Sequence, residues 1–343
     1  MKVLVVNNAV PFIRGGAEEL ADNLVRQLNA TEGVQAEHLR IPFAWEPQER
    51  LIEEMLAVQS LRVHNIDLMI GLKWPAYLLP WERKRLWLLH QFRQAYDLNT
   101  PGEGYLGDAR GREIAQAIRH CDDACFPECE RIFTNSPVTQ ERLRRFNGVV
   151  SENLYPPLND PELFGGGEDG GYIFAGGRVG PGKRQHLLVE AMSLAPRAVR
   201  LVIAGPPDSE AYVTPLKARI AELGLEDRVE LKLGFHPRQA IAAWANNARA
   251  CAYIPYDEDS LGYVTMEAFA AGKPVLTTRD SGGLLEIVGE ETGAVTEPTP
   301  EALAEGLARL NDPALAATRG AAAGALWAAR GLTWARTIET LLG

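Results

Sequence analysis

The sequence predicts an α/β protein built from parallel sheets covered by helices, and three observations carry that prediction. Short β-rich runs alternate with helical patterns in both halves of the chain. The alternation restarts after a stretch rich in Pro, Gly and acids near residue 160. Glycine-rich turns lead from strands into helices at Gly15-Gly16 and again at Gly176-Gly177. In the first half, strands are expected at Lys2–Val6, Ala36–Ile41, Asp67–Leu72, Arg85–His90, Arg131–Asn135 and Val150–Tyr155. Apolar residues spaced three and four apart make Ala17–Asn29 and Pro47–Leu61 helices. Ser136 followed by Pro137 gives another helix an N-cap and a Pro at its first position. Residues 156–171, PPLNDPELFGGGEDGG, read as an interdomain linker, so one domain covers 1–160 and a second 161–330. Second-half strands are expected at Tyr172–Ala175, Arg200–Ala204, Val229–Leu233, Ala250–Ile254, Pro274–Thr278 and Gly293–Thr296. The run Val264–Ala271 is a helix stopped by Gly272 and Pro274, and Thr333–Leu342 is the last helical pattern.

At 343 residues and 46% hydrophobic, the chain can bury two ordinary domain cores. A net charge of -10 argues against nucleic acid as a partner, because phosphate neutralisation needs a basic face. Arg83-Lys84-Arg85 beside Trp81 and Trp87, and Arg142, Arg144 and Arg145 on a later helix, are the basic clusters. They are solvated faces or a peripheral contact with anionic lipid. No signal-like N-terminus and no apolar run of spanning length occur, so the protein is expected in the cytoplasm, if at a membrane then on its inner face. Cys121, Cys125 and Cys129 are spaced by four next to His120, which would align them on one helical face. Pro127 interrupts that helix and no C-x-x-C pair occurs, so packed or free thiols are expected and no metal site.

The stretch YDEDSLGYVTMEAFAAGKPVLTTRDSGG, Tyr256 to Gly283, places Gly262 at a helix N-terminus. Backbone N–H groups of Gly262, Tyr263 and Val264 and the helix dipole favour a phosphate there, while Glu267 in the first turn suits ribose hydroxyls. Asp259 and Glu267 lie eight positions apart, about 12 Å if the helix began at Asp259, so they are not a paired acid and base. Alone, the same pattern describes a buried amphipathic helix with a capping acid. Upstream, YIFAGGRVGPGK puts Gly177, Arg178 and Lys183 in a turn just ahead of a helix, where open sheets present ligands. Arg178 offers a forked donor and Lys183 a compact charge, together suited to a pyrophosphate; a plain glycine-rich turn with solvated cations explains them equally well. In the first half, Gly15 and Gly16 open a helix, His90 ends the run RLWLLH, and Arg93, Tyr96 and Asp97 follow as weaker candidates for sugar or acceptor.

DSLGYVTMEAFAAGKPV resembles the signature E-G-F-G-x-x-x-x-E-A-x-A-x-G-x-P-V of the retaining GT-B glycosyltransferases known as glycosyl transferases group 1, or family 4. Asp259, one methylene shorter, stands in place of the usual first Glu, with Glu258 beside it. The turn Gly177 to Lys183 is similar to the family's G-R-x-x-x-x-K. Ala204-Gly205, Gly234-Phe235-His236 and Gly282-Gly283 with Glu286 carry the likeness through most of the second half.

The resemblance implies a GT-B fold: two Rossmann-like domains facing each other across a cleft, the terminal helix of about residues 331–343 completing the first. It implies retaining transfer of a hexosyl group from a nucleotide diphosphate sugar, the co-substrate, to an acceptor hydroxyl on a glycan, lipid-linked sugar or small molecule. No cofactor and no divalent metal are implied, and the departing phosphate helps take the acceptor proton. Arg178 and Lys183 would stabilise charge, Glu267 hold the ribose, Asp259 the transferred sugar, and His90 support the reacting sugar. Gly15 and Gly16 would approach the donor from the first domain. Gly177, Gly205, Gly262, Tyr263, Val264, His236 and Glu286 would line it in the second, with the His236 loop at the base. Two rivals share the ligand: a sugar-nucleotide epimerase of the same fold and a non-catalytic nucleotide-sugar-binding partner of another transferase. The sequence leaves sugar, base, acceptor and oligomeric state open.

Overall fold

The computed structural model describes residues 1–99, 102 and 105–343. The chain forms two compact units, Met1–Pro157 with Leu332–Gly343, and Leu158–Gly331.

The first unit runs β1 (Lys2–Ala9), α1 (Gly16–Asn29), β2 (Gln35–Pro42), α2 (Leu51–Ser60), β3 (Leu68–Gly71), β4 (Lys84–Leu88), α3 (Ala109–Cys125), β5 (Cys129–Thr134), α4 (Pro137–Asn147) and β6 (Glu152–Asn153). All strands are parallel, in the order β2-β1-β3-β4-β5-β6. Side chains alternate across β1, so Val3 and Val5 meet Leu20, Leu24 and Leu28 of α1 on one face while Leu4 and Val6 meet the cluster of α2 and α3 on the other. Both faces are covered, which is why this strand reads as a continuous apolar run. Ser136 caps α4 by accepting from the Thr139 N–H, and Gly148, in the left-handed region, ends it.

Four expectations are corrected. The strand predicted over Val150–Tyr155 shrinks to Glu152–Asn153, both exposed, because the edge lacks an apolar face to bury. The Arg85–His90 strand stops at Leu88, and a 3-10 turn, Gln48–Arg50, precedes the helix predicted from Pro47. Arg83-Lys84-Arg85 is not a basic surface: Lys84 and Arg85 are buried, Arg85 donating to the Leu341 carbonyl at 2.5 Å, and Arg83 pairs with Glu130 at 3.1 Å. Arg144 is likewise paired with Glu141 and Arg142 with Asp97. These clusters therefore carry no argument for lipid contact. Among the described residues no helix is long and apolar enough to cross a membrane.

The second unit runs β7 (Ile173–Gly176), α5 (Gln185–Leu194), β8 (Leu201–Gly205), α6 (Glu210–Glu222), β9 (Val229–Leu233), α7 (Arg238–Asn247), β10 (Ala250–Ala252), α8 (Tyr263–Ala270), β11 (Val275–Thr278), β12 (Gly293–Thr296), α9 (Pro300–Leu310) and α10 (Pro313–Arg330). Its parallel order, β12-β11-β10-β7-β8-β9, is the Rossmann order, which reverses between β7 and β10. The stretch that reads as a linker is packed beyond Pro157: Phe164 is buried, and Asn246 of α7 donates to the Leu163 carbonyl at 2.7 Å while accepting from the Gly166 N–H. The last helix, α11 (Trp334–Leu342), belongs to the first unit, where Trp334 packs edge-on against Trp87 at 6.4 Å and Ile338 and Leu341 join the cluster beneath β1.

Inside the first unit, Asp122 of α3 is fully buried and accepts from the hydroxyls of Tyr77 at 2.9 Å and Tyr96 at 2.7 Å. Burial pushes its carboxyl up to about 8 despite both hydrogen bonds. The folded form therefore binds a proton that the unfolded chain, with a carboxyl near 3.8, has released. Stability from this group is present at low pH and is lost as pH rises toward 8. Denaturant unfolding at pH 5 and pH 8 should show the native chain losing roughly 1–3 kcal/mol across that interval relative to Asp122→Asn. Equal slopes in both proteins would contradict a raised carboxyl.

Candidate functional site

The second unit gathers its chemistry at the carboxyl ends of β7 and β10, where the strand order reverses and an open sheet leaves a crevice. The turn after β7 reaches this place because Gly177 and Gly205 abut: a Cβ on Gly205, at φ +147°, would lie 1.9 Å from the Gly177 carbonyl oxygen. Val264 of α8 approaches the same turn, its Cγ2 being 3.1 Å from where a Gly177 Cβ would stand. Gly262 precedes α8 at φ +72°, and a Cβ there would meet the Tyr253 ring at 2.5 Å. The backbone rotation at Gly262 prevents the helix from starting earlier. Its own N–H goes to Ser260 Oγ at 3.2 Å, so the phosphate-facing role expected for Gly262 falls away from that donor.

Lys183 forms an ion pair with Glu258, and both bond to the Tyr253 hydroxyl, at 2.8 and 2.9 Å. Burial works against the ammonium, but Tyr253 and Glu258 raise its pKa overall. Glu258 is fixed through its backbone, donating to the Ser281 carbonyl at 3.0 Å and accepting from the Gly283 N–H at 2.7 Å. That is the function of the Gly282-Gly283 pair here: a Cβ on Gly282 would lie 2.3 Å from the Glu258 carbonyl oxygen. Arg178 is exposed and faces Asp208 at 3.3 Å. Asp259 is half-buried in the loop ahead of Gly262.

Glu267 is not in the first turn of its helix. With Tyr263 as the first helical residue, Glu267 is the fifth, buried, and ion-paired with Arg238 of α7. Arg238 also donates to the Asn159 carbonyl at 3.1 Å and lies over the Phe164 ring at 4.8 Å. Glu286 ends a 3-10 turn, Gly283–Glu286, and pairs with Arg330 at 2.7 Å. His236 is held by the Lys232 carbonyl at 2.8 Å and by the Trp244 ring, 4.9 Å away and nearly perpendicular.

In the first unit, Gly15 caps α1 and its N–H is taken by Glu18 Oε2 at 2.8 Å, with Gly16 the first helical residue. His90, half-buried two residues past β4, has Nδ1 2.6 Å from the Gln91 carbonyl. Arg93 pairs with Asp97 at 2.6 Å, and the Tyr96 hydroxyl is spent on Asp122, which withdraws Tyr96 from any sugar contact. Cys121, Cys125 and Cys129 do not share a helical face, since α3 ends at Cys125 and β5 starts at Cys129. Among the described residues no three His, Cys, Asp or Glu side chains come together as metal ligands would.

Tyr253, Arg184 and Arg238 escaped the sequence reading. Arg184 is buried beside Lys183 and donates to the carbonyls of Ile254 and Pro255, to Thr278 Oγ1 and to both oxygens of Asp280, all within 2.8 Å. The one available signal lay at Arg238. A cation at the first position of a helix opposes the dipole, which points to a carboxylate facing it.

Two whole-chain structural likenesses define the fold. HepE of Anabaena, in complex with UDP and glucose, matches with a TM-score of 0.72 at 18% identity over 100% of this chain and 98% of that one. Sucrose-phosphate synthase from Thermosynechococcus elongatus matches with a TM-score of 0.79 at 20% identity over 99% and 97%. The fold is GT-B. In sequence, residues 164–323 match the family model described as Glycosyl transferases group 1. D-inositol 3-phosphate glycosyltransferase of Corynebacterium glutamicum (strain R) is 24% identical over 91% of this chain and 83% of its own length. The stretch similar to the glycosyl transferases group 1 family lies wholly in the second unit.

Removing Arg238 leaves the buried Glu267 carboxylate without this counter-ion. Arg238→Ala should lower the free energy of unfolding by roughly 3 kcal/mol. The double variant Arg238→Ala with Glu267→Gln should recover part of that loss, a coupling that a denaturation cycle on the four proteins measures.

Proposed function

We propose that the protein transfers a hexosyl group from a nucleoside diphosphate sugar to an acceptor hydroxyl with retention at the anomeric carbon. The observation that carries this reading is the convergence at the β7–β10 crevice of Lys183, the glycine turn and the start of α8, a site suited to a diphosphate. Uridine is the first base to try, because the structure of HepE holds UDP and glucose.

Lys183 and Arg178 meet the charge that develops on the leaving diphosphate. Each already has a carboxylate partner, Glu258 and Asp208, so the donor takes these cations over from internal anions. Glu267 receives the ribose, with Arg238 fixing the orientation of its carboxylate. Asp259, ahead of the helix, serves the transferred sugar. Tyr263 and Val264 contribute backbone N–H groups. Leaving-group charge is met by side-chain cations, so the reaction proceeds without a divalent metal.

The reading is tested by incubating the protein with UDP-glucose and a panel of acceptors in EDTA. Transfer of the sugar with its α configuration kept is expected. Activity that is lost in EDTA and restored only by magnesium or manganese would refute the metal-free route, inverted product would refute retention, and epimerised donor without acceptor would mark an epimerase.

Calorimetry separates the two neighbouring acids. Glu258→Gln releases Lys183 from its internal anion and should tighten UDP binding roughly tenfold, about 1.4 kcal/mol. Asp259→Asn should leave UDP binding unchanged yet weaken UDP-glucose. Equal effects of both changes on both ligands would mean the roles are wrongly divided.

A further inference from the structure

We propose that Cys125 and Cys129 form a redox-active dithiol, a second reactive centre in which Lys84 activates Cys125 toward peroxides and Cys129 closes a disulfide. The site lies in the first unit, at the starts of β4 and β5. It is thus at the opposite end of those strands from His90.

The starting observation is Lys84, which is only 1% exposed. Its one hydrogen-bond partner among the described residues is Cys125 Sγ, at 3.5 Å. A buried ammonium is costly unless an opposite charge meets it. A thiol meets it poorly and a thiolate well. Lys84 is held there by strand pairing, because the β4–β5 register sets it against Cys129 with a local irregularity at that step. A short 3-10 turn, Phe126–Glu128, returns the chain from the end of α3, so Cys129 Sγ comes within 3.6 Å of the Cys125 carbonyl.

The two thiols are unequal. Cys125 sits below the ordinary thiol range through its hydrogen bond with Cys129 and the Lys84 charge, against burial and the Glu128 carboxylate. Cys129 sits above that range, mainly because its proton serves Cys125. The other groups against Cys125 are the Tyr77 carbonyl at 3.4 Å, which accepts the proton when the thiol is neutral, and Cys121 one turn earlier on α3. Cys125 is nearly enclosed while Cys129 is partly exposed, so a small oxidant reaches the pair from the Cys129 side.

The chemistry balances with a hydroperoxide as oxidant. The Cys125 thiolate attacks the distal peroxide oxygen, the O–O bond breaks, and sulfur is oxidised by two electrons to a sulfenic acid as the peroxide is reduced to an alcohol or water. Lys84 donates the proton taken up by the departing oxygen. Cys129 sulfur then attacks Cys125 sulfur, the S–O bond breaks, and hydroxide leaves with the Cys129 proton as water, giving the disulfide. Thiol exchange with a dithiol reductant reverses the process.

All three cysteines of this region fall in one tryptic peptide, His120–Arg131, which makes the test direct. The native chain is treated with hydrogen peroxide, alkylated, digested without reduction and mapped by mass spectrometry. Loss of two hydrogens with alkylation confined to Cys121 is expected, and in Cys121→Ser the same loss persists with no alkylation of the peptide. Lys84→Met, similar in volume and uncharged, should form the bond roughly tenfold more slowly. A bond that includes Cys121, oxidation stopping at a single sulfinic acid, or no change in the native peptide would overturn the proposal. So would an unaltered rate in folded Lys84→Met. The wild-type map decides the pairing alone and does not depend on any variant folding.

Discussion

The second unit depends on one buried guanidinium. Arg184 directs five hydrogen bonds to the ends of β10 and β11, satisfying two carbonyls, a hydroxyl and both oxygens of Asp280, whose carboxyl it holds below the usual range. Parallel strands leave their carboxyl ends as loops without mutual hydrogen bonds, so something other than the ladder must fix them. Arg184 does so from the turn after β7, in a left-handed conformation at φ +55° that its bonds maintain. Lys183 is its immediate neighbour. The candidate cation thus takes its position from a residue that need not touch substrate.

Around that strut, charges are matched in advance. Lys183 has Glu258, Arg178 has Asp208, Glu267 has Arg238 and Glu286 has Arg330. On the function proposed above, a diphosphate would exchange partners here, and only the difference between the new and old contacts would contribute to affinity. This favours ligands that carry several negative charges close together, since a single weak anion gains little over a carboxylate already in place.

The α/β alternation was legible because the central strands are covered on both faces and helices such as α4, α8 and α10 are stopped by a Gly. Glu152 and Asn153 show where that reasoning fails, since a β-rich run at a sheet edge lacks a surface to complete it. Three adjacent basic residues looked like a patch, but strand geometry turns neighbours to opposite faces, and Lys84 went inward. The glycines of the turn after β7 and of the loop ahead of α8 were readable from spacing. Which of Glu258 and Asp259 faces Lys183 was not, because the loop is irregular and its direction is set by pairing to Gly282-Gly283, residues distant in sequence. The position of Glu267 within its helix turned on the conformation of Gly262, which no periodicity reports.

The return of α11 to the first unit has a consequence for how the protein is made. Trp334, Ile338 and Leu341 fill the same cluster as Val3, Val5 and Leu24, so the first unit lacks a layer of its core until α11 has been synthesised. The second unit, Leu158–Gly331, is continuous and leaves the ribosome whole before that layer arrives. The usual vectorial order, in which N-terminal domains fold first, is inverted here. The apolar face of β1 and α1 that α11 covers stays open to water during that interval.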